Sequence, residues 1–236
     1  VVLFAATETP AAHSQAAEAR GRTASLSHRQ VGFSVKQNRK EKGDGMKKSM
    51  GANTIACPSP VWCIGTYDKN KKPNIMTASW AGICCSSPPA ISVSLRKATY
   101  TYQCILDAKA FTVNIPSEGY AKEVDYVGIA SGKDKNKFDG AGLTPVQSEK
   151  VHAPYVKEFP LIIECKLIHH HEIGLHTLFV GEIVDVLADE DVVADDGKVD
   201  MEKIQPFLFS ATNRTYYGIG SFMGKAFSIG KDLPGK

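Results

Sequence analysis

The sequence predicts a mainly β fold with short helices, and three observations carry that reading. From Pro60 onward, short runs of β-branched and apolar residues alternate with turn residues. Helical spacing recurs only over brief stretches, Thr99 to Ala108, Glu118 to Ala130 and Met201 to Gln205. The two longest apolar runs flank a single glycine, Gly174, as a strand pair with a bend between them would. With 236 residues, 43% hydrophobic and 22% charged, the composition is that of one globular domain that needs no disulfide or structural metal to bury its core.

Taken in order, residues 1–45 are rich in Ala, Ser, Gln, Arg and Lys without apolar periodicity, and Met46-Lys47-Lys48-Ser49-Met50 reads like a natural start. The expectation is a disordered or non-native leader followed by one folded domain over 46–236. Val61 to Tyr67 and Asn74 to Ile83 read as strands joined by the turn Asp68-Lys69-Asn70-Lys71-Lys72-Pro73, which gives a hairpin. Ile91 to Leu95 is a third strand. Thr99 to Ala108 places Tyr102, Ile105 and Leu106 at helical spacing behind a Thr that can cap it. Phe111 to Ile115 is a strand closed by Pro116, and Glu118 to Ala130 a helix ending near Gly132. Leu161 to His171 and Thr177 to Leu187 are long strands assigned to the far side of a barrel. Asp189-Glu190-Asp191 and Asp195-Asp196-Gly197 mark exposed turns, Met201 to Gln205 is a short helix before Pro206, and Tyr216 to Gly230 is a glycine-rich, aromatic tail.

Several function classes drop out. The formal net charge of +3 is small and partly carried by the first 45 residues, and elsewhere acids and bases are mixed, unlike a nucleic-acid stripe. No run of about 18 apolar residues exists to span a bilayer, and Val1 to Ala6 lacks the basic residue that precedes a signal peptide's apolar core. The six cysteines form no CxxC pair and read mostly as buried thiols in a reducing, cytoplasmic setting; Cys84 and Cys85, expected on opposite strand faces, would not bond. His169-His170-His171 with His176 lack the acids or thiols of a metal shell. Neither Gly218 to Gly224 nor Gly128 to Lys133 matches a dinucleotide or phosphate loop.

One stretch carries chemistry. Asn74, Met76, Thr77, Ala78, Ser79 and Trp80 offer small and hydroxyl side chains against which a flat ring can lie close to the main chain. After Ser94, Arg96 and Lys97 put positive charge where an anionic tail can end, and Tyr100 and Thr101 open the next helix. The combination suits a phosphorylated aromatic cofactor such as FMN. Taken singly, each residue is also what an alternating strand or its exposed end would carry.

These segments, together with Ser87-Pro88-Pro89, Phe111 to Asn114, Ser131 to Phe138, Gly142 to Pro145 and Gly174-Leu175-His176 with Gly181-Glu182, resemble the flavin reductase-like superfamily, its flavoredoxin branch most of all. The resemblance covers Met46 to Lys236. It implies an FMN-binding split β-barrel, usually a homodimer with two flavin sites near the subunit interface. It nominates Asn74, Trp80, Thr101, Lys137, His176 and Phe209 as flavin neighbours, with Thr101 and Arg96, Lys97 or Lys137 at the phosphate, Asn74 at the polar ring edge, Trp80 and Phe209 against its apolar surface, and His176 donating to ring or tail. The implied function is electron carriage by a tightly bound FMN with a redox partner protein. The alternative is an NAD(P)H-dependent flavin or ferric reductase delivering hydride to flavin N5, and a third reading is a barrel that binds a ligand without turnover.

Overall fold

The computed structural model describes residues 46–231 and residue 233. Residues 46–53 carry no helix or strand, and from Thr54 onward the chain forms one compact unit. The expected leader, 1–45, lies outside the described residues.

Twelve strands and four short α-helices make up this unit in the order β1 (Ser59–Pro60), β2 (Trp62–Tyr67), β3 (Pro73–Ala78), β4 (Ala81–Ser86), β5 (Pro89–Arg96), α1 (Tyr100–Ala108), β6 (Ala110–Ile115), α2 (Ala121–Ile129), α3 (Lys137–Ala141), β7 (Pro145–Gln147), β8 (Pro154–Val156), β9 (Leu161–Ile173), β10 (His176–Ala188), α4 (Met201–Ile204), β11 (Phe207–Ser210) and β12 (Thr215–Gly218). Seven strands form the main sheet in the order β3-β2-β6-β9-β10-β5-β4. Every ladder in it is antiparallel.

The strand order forces the sheet to curl. Laid flat, its outer strands would stand about 29 Å apart at about 4.8 Å per strand. Yet those strands, β3 and β4, are joined by Ser79 and Trp80 alone, a connection that reaches only about 10 Å. The sheet therefore rolls into a barrel with a seam at Ser79-Trp80, where the Ser94 N–H donates to the Trp80 carbonyl at 2.8 Å. Ile64, Ile91, Val93, Phe111, Val113 and Phe179 fill its interior. On β3, Met76 and Ala78 point into that core while Ile75 packs the other way, with Val124 and Val127 of α2, Phe138 of α3 and Phe207 of β11, as the two-residue strand period requires.

The mainly β fold with short helices is the one expected, and so are the β2–β3 hairpin, α1, β6, α4 and the β9–β10 pair. Gly174, at φ +53°, sits in the two-residue turn of that pair rather than in a bend within it. Other details differ. Asn74 to Ile83 is two strands, because the seam interrupts it. Thr99 does not cap α1 with its side chain; its hydroxyl donates instead to the Arg96 carbonyl at 2.8 Å. Glu118 to Ala130 begins with a 3-10 turn before α2. Cys57, Cys84 and Cys85 are exposed free thiols, the latter two because β4 is an edge strand with a register irregularity between Ile83 and Cys85. No helix among the described residues is long and apolar enough to cross a membrane.

Candidate functional site

A cavity of about 320 Å³ opens where the barrel is seamed. Its walls come from β3 and the seam (Met76, Thr77, Ala78, Ser79, Trp80), the end of β5 (Ser94, Leu95, Arg96), the β9–β10 turn (Leu175, His176), and the β11–β12 hairpin (Phe209, Ala211, Arg214), with Thr54. β3 is an edge of the main sheet, so its outer main chain faces this gap rather than another strand of the ladder. The Thr77 hydroxyl is committed to the Val124 carbonyl of α2.

Register brings the polar groups together. His176 and Arg96 are directly opposed across β10 and β5, and the His176 imidazole lies 4.6 Å from the Trp80 ring at an interplanar angle of 39°. Burial pushes the His176 pKa below its ordinary value, and the neighbouring Arg96 guanidinium lowers it further, so the ring is neutral near pH 7. Among the described residues, two guanidinium groups, Arg96 and Arg214, line the cavity and no carboxylate does. Its charge favours an anion, while Trp80, His176 and Phe209 favour a flat aromatic body.

Nine of the nominated residues line this cavity: Met76, Thr77, Ala78, Ser79, Trp80, Ser94, Arg96, His176 and Phe209. Asn74, Lys97, Tyr100, Thr101 and Lys137 do not. Asn74 lies two residues along β3 from Met76, buried, with its amide nitrogen donating to the Thr101 hydroxyl at 2.9 Å. Its amide oxygen is buried without a partner, and Gly132 is pressed so close that an added Cβ would stand 2.3 Å from it. The Tyr100 hydroxyl donates to Asp68 at 2.8 Å. Lys137 is buried and donates to the Val127 carbonyl near the end of α2 at 2.9 Å; burial lowers its pKa to about 8. Lys97 pairs with Glu172 at 2.7 Å on the surface.

Sequence reasoning missed Thr54, Leu95, Leu175, Ala211 and Arg214. Leu95 and Leu175 are chain neighbours of nominated residues and were within reach. Ala211 and Arg214 belong to the β11–β12 hairpin, which no strand signal announced; Arg214 has a φ of +55°, uncommon for a non-glycine residue.

Residues 54–216 match the flavin reductase like domain model. Among solved structures, the flavoredoxin of Desulfovibrio vulgaris (Miyazaki F) is 56% identical with a TM-score of 0.75, covering 79% of this chain and 100% of its own. The flavoredoxin from Methanosarcina acetivorans is 31% identical with a TM-score of 0.75, covering 80% of this chain and 100% of its own. A curated relative, the ferric-chelate reductase (NAD(P)H) of Archaeoglobus fulgidus, is 32% identical over 112 residues, 46% of this chain and 64% of that protein. A split barrel carrying this domain over most of its described length places the chain in the flavin reductase-like family.

Proposed function

We propose that this chain is an FMN-binding redox protein of the flavoredoxin type, working as a homodimer in the cytoplasm and carrying electrons to or from a redox partner protein. The single observation that carries the reading is the seam cavity, with two arginines, no carboxylate among the described residues and a Trp80–His176 wall, in a chain 56% identical to a flavoredoxin over that protein's full length. When bound, FMN supplies the redox chemistry, accepting and releasing electrons through its ring.

The chain's own residues bind and orient it. Of the cations nominated for the phosphate, Arg96 is the one on the cavity wall, and the Thr99 N–H and hydroxyl both bond its carbonyl, fixing its main chain. The start of α1, without a side-chain cap, adds N–H groups and a partial positive charge nearby. Trp80, His176 and Phe209 would pack against the ring, while Asn74, outside the cavity lining, would act through the β3 residues that follow it. Thr101 and Lys137 act as positioning residues, Thr101 by holding the Asn74 amide and Lys137 by tying α3 to α2. Anaerobic titration tests the reading: a stoichiometric flavin spectrum that bleaches with dithionite but not with NADH or NADPH is expected, and a chain that takes up no added FMN would overturn it.

A second reading, an NAD(P)H-dependent flavin or ferric reductase, is favoured by the ferric-chelate reductase relative. Rapid bleaching by NADH or NADPH in the same titration would select it.

A further inference from the structure

The seam cavity takes the turn end of the β11–β12 hairpin, and a second cavity, of about 370 Å³, lies at its open end. The two share no lining residue. Phe207, Tyr216, Tyr217 and Gly218 of the hairpin face Glu118 and the 3-10 turn that leads into α2. Strand register opens this space. Phe207 is paired across the ladder with Gly218, so β12 sets no side chain beside the Phe207 ring at that position. A Cβ at Gly218 would stand 2.7 Å from a Glu118 carboxylate oxygen, which puts the carboxylate over the gap that the glycine leaves. Among the described residues, Glu118 makes no side-chain hydrogen bond or ion pair. The Phe207 and Tyr216 rings stand nearly perpendicular, at 79° with centroids 5.5 Å apart. The Tyr216 hydroxyl donates to Asp125 at 2.9 Å, which fixes that ring. Tyr217, 55% exposed, is the third aromatic residue of the lining.

We infer that this second cavity binds a small organic cation bearing an alkylated ammonium group. Charge sets the sign, because Glu118 is the ionised side chain of the lining and no Lys, Arg or His joins it among the described residues. The rings act in the same direction, since an aromatic face attracts a cation placed over it. A charge seated in the corner between two perpendicular rings can lie over a face of each. A primary ammonium carries three donors that all need acceptors, more than a wall built mainly of rings serves. An alkylated ammonium spreads its charge over apolar groups, so aromatic faces and one carboxylate suffice. The volume is that of a small-molecule site. The inference goes beyond the flavin reading and does not rest on it.

Choline is the probe that tests this, with its carbon analogue, in which carbon replaces the ammonium nitrogen, as the uncharged control of the same shape. The full chain is titrated with each at constant ionic strength, and binding is read from the broadening of the probe's methyl proton signal. Choline should bind saturably and about tenfold or more tighter than the carbon analogue. Glu118→Gln, at an exposed position, should weaken choline about tenfold and leave the analogue unchanged. Gly218→Ala, which puts a methyl group into the gap, should weaken both probes. Absence of saturable choline binding, equal affinity for the two probes, or a Glu118→Gln variant that holds choline as tightly as the wild type would each overturn the assignment. The readout does not involve flavin, so a chain that binds choline in this way yet takes up no FMN would sink the cofactor reading and leave the cation site standing.

Discussion

Arg96 joins three local facts: it ends β5, its carbonyl is held by Thr99, and it opposes His176 across the β5–β10 ladder. If it holds the phosphate, Arg96→Gln should weaken FMN by about 10- to 100-fold, the range of a lost charge-assisted bond, while riboflavin, which has no phosphate, should bind as before. Titration of the two flavins side by side checks it; equal losses would remove Arg96 from the phosphate. Lys137 makes a different prediction. Its buried amine has a pKa of about 8 against an ordinary 10.5, so between those values the unfolded chain holds a proton that the folded chain has lost. Stability contributed through Lys137 therefore rises with pH across about 8 to 10.5 and is flat below. Urea unfolding of wild type and Lys137→Met should show the wild type gaining on the variant through that window, and a pH-independent difference would refute the shift. Seven of the nine nominated residues that line the cavity were legible because they cluster in two short segments, and His176 and Phe209 came from the resemblance. Lys97, Tyr100, Thr101 and Lys137 were drawn in by sequence neighbourhood or resemblance, and their directions are set by partners, Glu172, Asp68, Asn74 and Val127, that no local pattern reveals.

Among the elements, β10 is fixed to β6 and β9 through a missing side chain. A Cβ at Gly181 would stand 2.5 Å from the Phe111 ring and 2.9 Å from the Cys165 Cβ. Gly181→Ala should therefore destabilise by about 1–3 kcal/mol through overpacking, read as a lower urea midpoint at unchanged m-value. Hairpins with local turns were readable from sequence, since Asp68 organises its own turn by accepting from the Asn70 and Lys72 N–H groups, both at 2.8 Å. The break at Ser79-Trp80 was not, because alternation runs on through it and only the return of a distant sheet edge interrupts the strand. β11 and β12 are four residues each and gain their order from β1 and the α2 layer, so their sequence alone carried too little pattern.

For the whole molecule, the cavity lies on a seam, and a ligand there bridges β3, the end of β5 and the β11–β12 hairpin. FMN at about a hundred times its Kd should add about 2.7 kcal/mol, or about 5–10 °C in Tm for a chain of this size. Scanning calorimetry with FMN and with riboflavin at equal concentration should give the larger shift for FMN, and no shift with either would place flavin elsewhere or nowhere. Fold class was legible because composition and strand-length runs are summed over the chain. Closure was not, because it depends on a strand order that only long-range pairing creates.

The seam has an optical consequence. The chain contains two tryptophans, and one of them, Trp80, is half of the only two-residue link between the outermost strands. With Trp62→Phe removing the other, Trp80 emission becomes a single gauge that quenches when a flavin arrives and shifts to the red when the barrel parts, so cofactor uptake and barrel opening can be timed in one trace.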